Sequence, residues 1–377
     1  MRFDLDDDAR MLQQMARDVA QRSLAPHAAA WAQTGAVPRD TLDALAALGL
    51  FGVCAPEKLG GAGMSVTALT VALEEIAAVE AGLAVTLLTH NALCIGHLLS
   101  GADRALALDW VPRLASGAAL GTWAGGAVDS GHLTAGAEFN RGRWRLHGSL
   151  GAVPRVKDAD MGIVVAATGP NKATAFVLEG DEWQARPTGT LGLDTAGHGE
   201  LIVEGLVLTD ERRVGEPGEA LLDEAAIMPT ARVGRAAIAV GIARAALEAG
   251  TRYATERKQF GKAIAEFQAI QWMIADSAAE LDAARLLVRR AAATIDGGAD
   301  GQAEGAAARV FAVETARAVA DRALQIHGGY GFTREYSAER HYRDAHQVEM
   351  GEGTDNALQR LLIARAALAG AAPSGAA

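Results

Sequence analysis

The chain has 377 residues, half of them hydrophobic, and a formal net charge of −11, so it can bury a substantial core built as two or three packed subdomains rather than one small fold. Its interspersed acidic excess excludes nucleic acid and an anionic membrane surface as main partners, and a polyanionic ligand would need a local basic site. Two cysteines, Cys54 and Cys94, are too few for a disulfide framework and lack metal-ligand spacing, which points to a reducing compartment.

The acidic opening MRFDLDDDARMLQQ does not read as a signal peptide, so a cytoplasmic location is expected. Residues 1–121 are read as a helical domain. Leu42, Leu45 and Ala46, then Leu69, Leu73 and Ile76, recur at spacings of three and four that set each group on one helical face. The glycine-rich APEKLGGAGMS separates them as a loop. The apolar run LAVTLLTHNALCIGHLL is interrupted by two histidines and an asparagine, and no membrane span is expected from it.

Residues 122–215 change texture. The runs RWRLHG, MGIVVAAT, ATAFVLEG and ELIVEGLVL are β-type and are separated by glycine, proline and aspartate turns, which predicts a small β-domain. The stretch from Gly125 to Gly136 is too glycine-rich to assign. Helical periodicity then returns over 219–255, 265–296, 302–327 and 354–369, the third carrying the stripe Val310, Val313, Ala316, Ala320 and Leu324 before a Gly328-Gly329 stop. Four long helices over 216–370 predict a bundle, and AAPSGAA, 371–377, is read as a disordered tail.

Three motifs carry chemistry. In ERKQFGKAIAEFQAIQ, Arg257, Phe260 and Gln268 place a guanidinium, a ring and an amide where they could meet an anion at a helix start, or simply form a basic turn. In QIHGGYGFTREYSAERHYRDAHQ, Gly328, Gly329 and Gly331 would admit a phosphate or a flat ring, or terminate a helix before a polar loop. His327, His341 and His346 do not follow a usual ligand spacing, and no metal site is read. Glu352, between Gly351 and Gly353, is either a catalytic base or a cap for the helix starting near Thr354, a task open also to Thr354 or Asp355.

Taken in order, LGLFGVCAPEKLGGAGMS, WVPRLASGAALGTWA, LGLDTAGHGELIVEGLVL, RYATERKQFGKAIAEFQAIQ, QIHGGYGFTREYSAERHYRDA and GEGT resemble the acyl-CoA dehydrogenase family along nearly the whole chain. The resemblance implies a mainly α fold with a central β-domain: a helical domain, a small β-barrel domain and a four-helix bundle. It implies FAD-dependent α,β-dehydrogenation of an acyl thioester carried on coenzyme A or a carrier protein, with electron-transfer flavoprotein as one acceptor and a homodimer or homotetramer as the assembly. Glu352 matches the general base. Arg257, Phe260 and Gln268 match positions that hold the FAD pyrophosphate and adenosine across a subunit interface, and Gln325, Ile326, His327, Gly328 and Gly329 match the other wall of that site. Thr354 and Asn356 match flavin-contacting positions. Arg232 is the arginine beside which other branches carry the base, with Ala231 in that place here, and Gly351 and Gly353 flank the substrate. A base in an apolar, water-poor pocket is expected to have its proton affinity raised.

The chain also departs from the family. GAVDSGHL, residues 126–133, replaces the usual first flavin signature, and GSLGAVP puts Ala152 and Pro154 where a tryptophan and a threonine usually stand near the flavin. Gly351 replaces a common tyrosine, which leads us to expect room for a bulky or branched acyl group. Pro229 occupies the place of a substrate-contacting aspartate found in some members. Two alternatives accompany the leading reading: a non-redox subunit pairing with a flavin-competent partner, and an oxygen-using flavoprotein of the same fold.

Overall fold

The computed structural model describes residues 5–101, 104–126, 133–352 and 355–371. Seven helices come first: α1 Asp7–Val19, α2 Ala28–Thr34, α3 Arg39–Ala47, α4 Val66–Ala77, α5 Ala81–Leu88, α6 Gly96–Ser100 and α7 Arg104–Ala115. The anticipated apolar faces are the ones that pack, with Leu42, Leu45, Ala46, Leu69, Leu73 and Ile76 all buried. A π-helical stretch, Thr89–Ile95, joins α5 to α6. Ala81–Ser100 and the later Ala220–Glu256 are long and apolar enough to cross a membrane, yet 89% and 83% of their apolar windows lie inside the protein.

Strands follow: β1 Gly121–Ala124, β2 Ala135–Asn140, β3 Arg143–Val153, β4 Met161–Gly169, β5 Lys172–Glu179, β6 Gln184–Pro187, β7 Gly199–Thr209 and β8 Arg213–Val214. They form one sheet in the order β6-β7-β3-β2-β4-β5-β8, with β1 parallel to β4. Because successive strand residues point to opposite faces, β4 and β5 serve two cores at once. Ile163, Val165, Ala175 and Val177 join the core shared with the helices, while Val164, Ala166, Phe176 and Leu178 line the inside of the sheet. The sheet is thereby fixed against the helical body. The β3–β7 ladder shifts register between Leu150 and Val153, and Ala152 there takes a left-handed φ of 56°, so this strand bulges where it meets the site described below.

The C-terminal helices are α8 Ala220–Glu256, α9 Gln268–Asp296, α10 Gln302–His327, α11 Ala338–Gln347 and α12 Asn356–Ala371. Helices α8, α9 and α10 pack on one another, α12 packs on α10, and α8 also packs on α4. Gly241 makes the last contact possible: a Cβ there would lie 2.5 Å from the Glu74 carbonyl oxygen and 2.8 Å from Ala77 Cβ. A salt bridge from Arg244 to buried Glu75 reinforces it, and α4 is tied further to α1 by Arg17 on Glu75 and to α9 by Arg285 on Glu74. Helix α11 lies within a stretch read from sequence as a polar loop; its His341, Asp344 and Ala345 are buried, a pattern hidden by its density of charge. Most of GAVDSGHL, both Gly353 and Thr354, and the tail beyond Ala371 lie outside the described residues.

Candidate active site

Glu352 sits in the turn before α12 with φ 53° and its side chain is buried. It does not cap that helix: Asp355 does, its Oδ1 accepting from the Leu358 N–H at 3.0 Å. Both Glu352 carboxylate oxygens face arginines instead. Arg235 of α8 donates through Nη2 to Oε1, and Arg309 of α10 donates through Nη1 to Oε2 at 3.2 Å. Arg309 also donates to the carbonyls of Glu349 and Gly351, at 2.9 and 3.3 Å, so the same guanidinium fixes the backbone that presents Glu352. Burial alone would raise the proton affinity of this carboxyl, but Arg235 and Arg309 outweigh it and hold the group below the usual glutamate value of 4.5. The expectation of a raised affinity is therefore corrected. Two buried guanidiniums, not an apolar wall, surround the acid.

The opposite side of the site comes from the sheet. Trp123 of β1, Ala152, Val153 and Pro154 at the β3 bulge, and His198 face Glu352 and Arg235 across a cavity of about 30 Å³. Trp123 donates from Nε1 to Nδ1 of buried His97 at 3.1 Å, which fixes its ring, and Thr122 Oγ1 donates to the Pro154 carbonyl at 2.6 Å. His198 is held neutral near pH 7, with its pKa pushed down to about 4 by burial and by Arg235. The room expected beside Gly351 is not there. A Cβ on Gly351 would lie 2.5 Å from Arg235 Nη2 and 2.7 Å from its Cζ, so the arginine occupies the place a side chain at 351 would take.

Arg232, one helical turn before Arg235, is also buried, and its guanidinium bonds Gln302 at the start of α10. Sequence reading selected Arg232 and passed over Arg235, Arg309, His198 and Trp123. The only signal for Arg235 was its spacing of three from Arg232, which puts both on one face of α8. Arg309 stands one residue before Val310, where the predicted apolar stripe of α10 begins, and an arginine fully withdrawn from solvent there needs a buried acid.

A second cavity, about 520 Å³, brings together Arg257, Ile326, His327, Gly328 and Gly329. His327 stacks on Tyr253 with ring centroids 4.4 Å apart, and the Arg257 guanidinium lies 5.7 Å from the Tyr330 ring centre. Gly328 has φ 58°, and a Cβ on Gly328 or Gly329 would meet nothing within 4 Å, so the glycines leave the backbone open to a ligand. Gln325 is exposed on α10, Gln268 is exposed at the start of α9, and Phe260 is 93% exposed at the tip of the hairpin that joins α8 to α9. These three do not line the cavity within one chain. Asn356, the first residue of α12, is buried with neither its Oδ1 nor its Nδ2 bonded.

The chain matches two family models, the acyl-CoA dehydrogenase N-terminal domain over residues 6–118 and the C-terminal domain over residues 225–368. It is 34% identical to a probable acyl-CoA dehydrogenase of Bacillus subtilis, with 97% of this chain and 99% of that protein covered. The chain belongs to the acyl-CoA dehydrogenase family. A further relative, 32% identical over 94% of this chain and 96% of its own length, is a subunit of the caffeyl-CoA reductase-Etf complex of Acetobacterium woodii. Among solved structures, butyryl-CoA dehydrogenase from Megasphaera elsdenii superposes with a TM-score of 0.93 at 31% identity, covering 98% of this chain and all of that one.

Membership makes this acyl-CoA dehydrogenase an oxidoreductase acting on CH–CH groups, with FAD as the family's cofactor. The residues present fit that group. The open glycines beside Arg257 and the stacked rings suit a pyrophosphate and an adenine, and the two unpaired polar atoms of buried Asn356 need a ligand to satisfy them.

Proposed function

We propose that this acyl-CoA dehydrogenase removes hydrogen across the α,β-bond of an acyl-CoA, with Glu352 as the base that takes the α-proton. The observation that carries this reading is Glu352 itself: a buried carboxylate on a strained turn, held ionised by Arg235 and Arg309 and facing the bulged strand and Trp123 across a small cavity. A buried acid fixed from two sides is a pre-oriented acceptor for one proton. Its lowered basicity means that the thioester must be polarised as the proton leaves, a task for backbone N–H groups at this turn. FAD, when bound, supplies the acceptor for the hydride leaving the β-carbon.

In this reading Arg257, Ile326, His327, Gly328 and Gly329 hold the pyrophosphate and adenosine of FAD, and Asn356 meets the flavin. Exposed Phe260, Gln268 and Gln325 serve the FAD of a neighbouring protomer, which makes the assembly a homodimer or homotetramer. Thr354 and Gly353 are assigned to flavin and substrate from sequence only. The relative named for an Etf complex favours an electron-transfer flavoprotein as acceptor, and the location proposed is cytoplasmic. Replacing Glu352 by Gln tests the reading: FAD is expected to stay bound while reduction by acyl-CoA is lost.

A further inference from the structure

We infer that the acyl group taken by this site carries a carboxylate within a few bonds of its reacting carbons, and that Arg235 receives it through Nε and Nη1. This deepens the dehydrogenase reading and rests on it. Arg235 is 2% exposed. Its Nη2 is spent on Glu352, while Nε and Nη1 are buried with no hydrogen-bond partner. Buried N–H donors of a charged group left without an acceptor are costly, and a site that keeps them is built to be completed by a ligand.

The local charge points to the sign of that ligand. Among the described residues lining the cavity, Glu352 is the one acid, and it stands between two guanidiniums. The three side chains therefore carry one more positive than negative charge in a water-poor place. An alkyl chain entering here would leave Nε and Nη1 of Arg235 without an acceptor, whereas a carboxylate would accept from both. His198 faces the same cavity with Nδ1 unbonded and offers a further polar contact.

The position of the cation is deliberate in the sequence. Arg235 can stand beside the base only because residue 351 is glycine, since a Cβ there would overlap the guanidinium. Since one nitrogen of this guanidinium already holds Glu352, an acceptor on the others lies within a guanidinium's breadth of the base. That favours a short dicarboxylic thioester with the second carboxylate close to the β-carbon. A long unbranched chain is disfavoured by the same geometry.

The test uses the FAD-loaded protein and calorimetric titration with succinyl-CoA and glutaryl-CoA against butyryl-CoA and pentanoyl-CoA, which match them in length without the second charge. The dicarboxylic esters are expected to bind on the order of 10- to 100-fold more tightly. Arg235→Met should erase that difference, and Arg235→Lys should keep part of it. Equal or weaker binding of the dicarboxylic esters to the unmodified protein would overturn the inference, as would a preference that survives Arg235→Met. Turnover is read separately by dye reduction. A binding preference with no ester oxidised supports the carboxylate site and refutes the dehydrogenase reading, whereas oxidation without the preference does the reverse.

Discussion

At the residue scale the site turns on how Glu352 is held. Burial pushes its proton affinity up and two guanidiniums push it further down, so it is ionised throughout the neutral range. With Glu352 as the proposed base, the acid limb of kcat/KM should therefore lie below the ordinary glutamate value of 4.5, and a rate profile measured from pH 5 to 7 should show no protonation of Glu352. The same sign governs stability. A depressed folded pKa means that the cluster of Glu352, Arg235 and Arg309 stabilises the fold above the unfolded value, and that this contribution is lost as the pH falls through the lowered folded one. Gly351→Ala is expected to push the Arg235 guanidinium off Oε1 and reduce kcat/KM by at least about tenfold, which corresponds to the loss of one buried charged hydrogen bond. Steady-state kinetics on the FAD-loaded variant checks this. Glu352 itself was legible in the sequence because GEGT follows two other motifs in a recognisable order. Its partners were not, because the contacts with Arg235 and Arg309 join residues 117 and 43 positions apart.

At the element scale the long helices and the four β-type runs could be read from periodicity, because each buries one regular face or alternates between two cores. Helix α11 could not, since its buried side includes His341 and Asp344 rather than an apolar stripe. Asp344 belongs to a polar seam between layers. Glu80, just before α5, accepts from Thr195 Oγ1 at 2.6 Å while its Oε2 is buried without a partner. Asp344 accepts from the Leu193 N–H at 2.7 Å. Burial pushes their pKa values up, to about 7 for Glu80 and about 6 for Asp344. Here the sign is the reverse of that at Glu352: the contribution of these two carboxyls is complete at acid pH and is lost as the pH rises through about 6 to 7. Glu80→Gln should remove the part of this loss that Glu80 contributes, worth at most about 3 kcal/mol, so its melting temperature should fall less between pH 5 and pH 8 than that of the parent. The contact of α8 with α4 offers a second check. Gly241→Val overpacks it and should cost about 1–3 kcal/mol, measured by denaturant unfolding.

At the scale of the whole molecule, the helical body and the sheet share one core through β4 and β5, and the cavity by Glu352 lies where β1, β3, α8 and the turn before α12 converge. Composition could announce the helical and β textures but not this convergence, which depends on register and on a bulge. The outer surface carries its own information. Phe260, Trp272 and Phe332 are 93%, 65% and 79% exposed, near the residues assigned to a neighbouring protomer's FAD. Light scattering should give a dimer or tetramer, and Phe260→Ser should lower FAD occupancy. Anaerobic titration of the yellow FAD-loaded protein with a CoA ester that it oxidises bears directly on Glu352 as the base. The flavin absorbance should bleach in the parent and persist in Glu352→Gln with FAD still bound; undiminished bleaching in that variant would contradict the assignment.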